Sequence, residues 1–193
     1  MTHVTRFERV TLALCEVLRD RMERGREVAF SFGPPELGDG EAERPRVNLF
    51  LYHVSESPLL QNVPRESPVA GGAARSPGLR WDLHYLLCTY GTTGYPGGGP
   101  ACSGKSRADL EAQGLLCDAM HVLRGVGHLL LRSSEPGPRP SPHPGEEAEG
   151  PAETLRVELR RLGPDQPGHP WRAWGIGYQR AAAYDVRGLR GDS

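Results

Sequence analysis

No run of this chain approaches the roughly 18 to 20 consecutive apolar residues of a membrane-spanning helix. The apolar stretch Val10 to Leu18 is interrupted by Glu16 and followed by no small-residue cleavage site, so it is not a secretory leader. Synthesis and folding in the cytoplasm are therefore expected. Charge of one sign is also missing. With 23 Lys and Arg against 24 Asp and Glu the net charge is -1, which leaves no global field to gather nucleic acid or an anionic membrane. Lysine is nearly absent, Lys105 being the only one. Cysteine is sparse: Cys15, Cys88, Cys102 and Cys117 form no CxxC pair, and two or three of them fall on apolar faces, as thiols in a reducing compartment do. No serine sits in a GxSxG elbow, and nothing in the sequence ties any of the seven histidines to a nucleophile.

The sequence is rich in glycine and proline, 25 and 18 of 193 residues, as expected of irregular loops around one compact core. Val4, Phe7, Val10, Leu14, Val17, Leu18 and Met22 recur at helical spacing, with Thr5 and Glu8 placed as a capping box and Gly25 as the stop. A short strand, Val28 to Phe32, follows. Val47 to Val54 is apolar on both alternating faces, with Val47, Leu49 and Leu51 against Phe50, Tyr52 and Val54, which predicts a strand in the middle of the sheet. Leu79 to Tyr90 reads as a long strand, and Ala112 to Leu123 as the stripe of a second helix with Ser106 at its cap and Asp109 third. Thr154 to Leu162 alternates, with Leu155, Val157 and Leu159 inward and Arg156, Glu158 and Arg160 outward. A short helix around Trp171 to Trp174 and a last strand, Tyr178 to Val186, antiparallel to its predecessor, complete the reading.

The expected fold class is α+β: a single domain over 1–193, with a mixed or antiparallel sheet of about five strands packed against two or three helices. Mobile loops are expected at 33–45, 63–78, 91–105 and 133–151, the last holding six prolines.

Several motifs invite chemistry. Gly99 to Ser106 satisfies the phosphate-loop pattern, but such a loop must follow its strand directly, whereas here the strand ends near Tyr90 and Pro100 removes a cradle amide. A metal site could be drawn from His84, Cys88, Cys117 and His121, yet strand residues four apart lie about 13 Å from one another, so only Cys117 and His121 could share an ion. The reading without metal is a buried thiol beside a surface histidine. Trp171, Trp174, Tyr178 and Tyr184 fit core packing better than a ligand face. The tail Arg190, Gly191, Asp192 and Ser193 is a chance adhesion-like sequence in an Arg- and Gly-rich end. No cofactor, metal site or catalytic residue is assigned.

Four stretches resemble one known family. Val47 to Asn62 reads VNLFLYHVSESPLLQN, and Trp81 to Gly91 reads WDLHYLLCTYG. The helix around Glu111 to Leu123 follows, and Leu155 to Arg187 closes on Tyr184, Asp185, Val186, Arg187. Their order is similar to the N-terminal domain of the cap, or tail-terminator, proteins of extracellular contractile injection systems of the Photorhabdus virulence cassette type. The resemblance implies a structural subunit, not an enzyme. It would form a homo-oligomeric ring, expected to be a hexamer, on the end of the inner tube and sheath, with tube and sheath subunits and a second cap protein as partners. Many relatives continue into a further domain. Neither nucleic acid nor membrane is implied. Candidate interface residues are Asn48, Ser55, Glu56, Ser57, Gln61 and Asn62, polar groups within and after the Val47 strand. The alternatives are a nucleotide-binding protein using Gly99 to Ser106 and an adaptor that takes a peptide on a sheet edge.

Overall fold

The computed structural model describes residues 5–22, 27–35, 44–57, 80–92, 94, 103–132, 152–161 and 180–190. Two helices and six strands follow in the order α1 (Arg6–Met22), β1 (Ala29–Ser31), β2 (Arg46–Glu56), β3 (Arg80–Tyr90), α2 (Gly104–Val126), β4 (His128–Arg132), β5 (Ala152–Arg160) and β6 (Ala181–Arg190). The strands form one mixed sheet, β1-β2-β3-β6-β5-β4, in which β1 and β2 run parallel and every other neighbouring pair antiparallel.

α1 begins as its sequence dictates. The Thr5 amide donates to Glu8 Oε2 at 2.6 Å and the Glu8 amide to Thr5 Oγ1 at 3.3 Å, a reciprocal cap of the kind that stabilises a helix by about 1 kcal/mol. Its inner face buries Val10, Leu14, Cys15 and Leu18. Thr11 shares a 2.8 Å hydrogen bond with the hydroxyl of Tyr85, and Phe7 meets Trp81 edge to face. α2 contributes Ala112, Leu115, Ala119 and Leu123 to the same core, which Val47, Leu49, Leu83, Leu87, Leu155, Val186 and Leu189 complete from the sheet. The entry to α2 is tight: Thr89 donates to the carbonyl of Ala112 at 2.6 Å, and Glu111 accepts from the amide and hydroxyl of Thr92. Gly91 lies so close to α2 that a Cβ there would sit 2.1 Å from the carbonyl oxygen of Ala108.

The sheet differs from the sequence reading in four respects. It has six strands; the sixth, His128–Arg132, follows α2 after a single residue, Gly127 at φ 53, so its three leucines merge with the helical run in sequence. The central strands are β3 and β6, while β2 lies second from an edge, its last seven residues only partly covered. Helix α2 starts at Gly104, and its cap is Ser103, whose Oγ accepts the amide of Ser106; Ser106 lies inside the first turn. Finally, the alternation along β2 does not persist. Leu51 pairs with Tyr85 but His53 pairs with His84, a bulge at Tyr52 that reverses the phase of the strand. Val54, paired with Leu83, therefore packs on the helix-side core, opposite to Phe50 and Tyr52.

Residues 58–79, 95–102, 133–151 and 162–179 lie outside the described residues, and with them most of the expected loops and the expected helix at Trp171 to Trp174.

Candidate functional site

Both described helices pack on one face of the sheet, and the other face carries a row of polar and charged side chains. The bulge in β2 brings Ser55 onto that face beside His84 of β3, whose neighbour in register is Asp185 of β6, whose neighbour is Glu158 of β5. Ser55 Oγ lies 2.9 Å from His84 Nε2, and His84 Nδ1 lies 2.7 Å from Asp185 Oδ1. The His53 ring stacks on His84 at 5.1 Å. Arg160 approaches His84 Nδ1 at 3.1 Å and Asp185 at 3.7 Å, and Arg187 reaches both Asp185 and Glu158 at 3.3 Å. Arg156 closes the row on Glu158 at 2.7 Å. Above this belt, Leu86, Cys88 and Ala183 form a small buried cluster with Tyr52, Tyr90 and Ala181.

His84 and Asp185 are buried, at 8% and 6% exposure. Burial by itself pushes the Asp185 carboxyl up, but the hydrogen bond and charge of His84, the Arg160 guanidinium and the Arg187 bond outweigh it and hold the group below its ordinary range. Nδ1 cannot both donate to Asp185 and accept from Arg160. The ionised carboxylate fixes the choice: Nδ1–H donates to it, Arg160 takes its electrostatic partner from the same carboxylate, and in the neutral ring Nε2 accepts from the Ser55 hydroxyl.

The arrangement has the connectivity of a Ser-His-Asp triad, and sequence reasoning missed it because the three residues are distant in the chain and the bulge is invisible there. Connectivity is not sufficient for acyl transfer, which also needs donors converging on a developing oxyanion. Ser55 sits in a strand ladder opposite Asp82, and the N-termini of both described helices belong to elements on the opposite face. Hydrogen bonds and ion pairs tie β2, β3, β6 and β5 together as a clamp on the face opposite the described helices. The one sequence cue was the outward set Arg156, Glu158 and Arg160, which does line this belt.

The sequence-derived candidates scatter. Asn48 is 2% exposed and its amide is engaged within the chain, accepting from Ser31 Oγ at 3.0 Å and donating to the carbonyl of Gly33 at 3.1 Å. Ser57 is buried, with its amide on the carbonyl of Arg80. Ser55 belongs to the clamp, and Glu56 is exposed at the end of β2. Gln61 and Asn62 lie outside the described residues. In the phosphate-loop pattern, the Ser106 amide is already taken by Ser103.

Cys117 and His121 do meet, Sγ to Nδ1 at 3.5 Å, but the thiol is exposed rather than buried as expected. Among the described residues no three potential ligands cluster around a metal position. Tyr184 is buried, its hydroxyl pushed up to about 12 by desolvation. Leu159, expected inward, is 56% exposed at the mouth of an apolar groove of about 590 Å³ between α2 and the β5–β6 sheet, lined by Leu116, Met120, Val157 and Tyr184.

Among the described residues, a six-stranded mixed sheet with two helices on one face and an ion-pair clamp on the other defines an α+β domain. The chain belongs to the Pvc16 N-terminal domain family, whose model matches residues 9–193. Its backbone is similar to that of the PVC sheath/tube terminator of an extracellular contractile injection system in the extended state, with a TM-score of 0.56 at 17% identity. That likeness covers 100% of this chain and 59% of the terminator. It is also similar to the anti-feeding prophage cap, a tube-terminating cap, with a TM-score of 0.50 at 16% identity over 98% of this chain and 56% of that one. The chain thus spans less than two thirds of either neighbour. No curated protein matches it. None of the described helices is long and apolar enough to cross a membrane.

Proposed function

We propose that this domain is a structural cap, or terminator, module of a phage-tail-like contractile injection particle, placed at the end of the inner tube and sheath and acting without catalytic turnover. The observation that carries this reading is the family match over residues 9–193, supported by the shared backbone of two terminators. Such a role requires a rigid body with distinct docking surfaces, and a sheet stiffened on one face by helices and on the other by charged cross-strand pairs suits it.

The reading extends to a single cap-like domain over 1–193, made in the cytoplasm and assembled as a ring, with six copies the expected number. Tube and sheath subunits, and a second cap component, are the proposed partners. Within the proposed contact segment from Ser55 to Asn62, the exposed Glu56 is the first candidate to touch them, and the buried Asn48 and Ser57 would support the strand behind it.

Electron cryomicroscopy of particles from cells with and without the gene tests this. Density for the domain at one tail end, and tails of irregular length without it, is expected. Particles of normal length with no such density would refute the proposal.

A further inference from the structure

The groove beneath α2 has a counterpart elsewhere on the same chain. On the exposed side of α1, Leu12 is 47% exposed and stands between Glu8 and Glu16, one turn before and after it, with Asp20 one turn further on. Arg9 beside them is half-buried, and Arg19 is turned onto the Phe30 ring at 5.4 Å. The stripe therefore presents an apolar knob among carboxylates. The groove presents the complement: an apolar floor with Leu159 at its mouth and Arg124, His121 and Gln113 exposed along its α2 rim. None of the described residues lining it is acidic; of the acids on α2, Glu111 is buried, Asp109 is engaged by Arg180, and Asp118 is exposed beside Cys117. Its volume of about 590 Å³ is in the range that takes a few large side chains rather than a single methyl group.

We propose that the Glu8–Leu12–Glu16 stripe of one copy docks in the α2–β5–β6 groove of the next, with Leu12 against Leu159 and Met120 and Glu16 facing Arg124. The two patches are different surfaces of one chain, so the contact is heterologous: a pair still offers one free groove and one free stripe, and growth continues until the rotation closes a ring. The inference rests on the reading of the domain as an assembly subunit, and gives that assembly a defined surface.

The test is sedimentation and native mass spectrometry of the full chain with Leu12→Asp and Leu159→Asp. Both side chains are exposed, and unchanged thermal melting would show that the variants fold. Wild type should associate beyond a dimer with rising concentration, and each variant alone should remain monomeric. A 1:1 mixture should return a dimer and nothing larger, because one intact stripe then meets one intact groove. Glu16→Arg should weaken association at least tenfold, and Arg124→Glu in the same chain should restore it. Wild type that stays monomeric at about 100 μM, variants that assemble like wild type, or a mixture that forms no dimer would each overturn the interface. Imaging keeps the two ideas apart. A domain found at the tail end but indifferent to these changes sinks the interface alone; a chain that associates as described yet is absent from particles sinks the terminator role alone.

Discussion

His84 Nδ1 stands 2.7 Å from Asp185 Oδ1 on adjacent central strands, with Arg160 and Arg187 closing on the same carboxylate. The pair is the centre of the clamp on the face opposite the described helices, and both residues are more than nine-tenths buried. Removing the charge of Asp185 leaves His84 and two guanidiniums without their shared partner. Asp185→Asn should cost about 3 kcal/mol, read as a lower midpoint in urea unfolding, the size expected on breaking a buried pair.

The same carboxylate sets an acid limb. Its folded value lies below the unfolded one, so the stabilisation is fully present above the unfolded value of about 4 and is lost as pH falls through the lower folded value. Stability should therefore decline more steeply below about pH 4 in wild type than in Asp185→Asn. Parallel declines in equilibrium unfolding would contradict this assignment.

Ser55 tests whether the triad-like connectivity has chemical meaning. Ser55→Ala should cost about 1 kcal/mol for the lost hydrogen bond, read in urea unfolding. A fluorophosphonate probe should not label wild type at Ser55. Labelling there, abolished by His84→Gln, would mean that the site is an active nucleophile and that the clamp reading is incomplete.

At high pH the sign reverses. Burial pushes the hydroxyls of Tyr85 and Tyr184 up to about 12, with the Thr11 bond a smaller opposing influence at Tyr85. Their contribution is complete below the unfolded value of about 10 and falls as pH rises from there through 12. Ultraviolet titration should show these two phenols ionising late, together with unfolding, and Tyr85→Phe should remove part of the alkaline transition.

Gly91→Ala should destabilise the chain without touching any polar group. The added Cβ would fall 2.1 Å from the Ala108 carbonyl, a backbone atom that cannot turn aside. A cost of about 2 kcal/mol and a melting temperature lower by roughly 4 to 8 °C are expected. An unchanged melt would mean that β3 and α2 are less tightly joined than they stand here.

Local pattern was sufficient for much of this protein. The 3.6-residue repeat and the Thr5–Glu8 pair determined α1, alternation determined β3 and the inner residues Leu155 and Val157, and the ordered wording of four segments pointed to the family. These features are written within a few residues of one another, and hydrophobic period or capping chemistry suffices to fix them. What required the tertiary structure is whatever depends on pairing across the chain. The bulge at Tyr52 exists only relative to β3, and it sends Val54 to the core and Ser55 to His84. The placement of β6 between β3 and β5 joins His84 to Asp185 across 101 residues, and the closure of α2 over the sheet leaves Leu159 exposed at a groove instead of buried in a core. Sequence spacing carries no information about such neighbours, because partner strands, not the strand itself, decide which side chains meet.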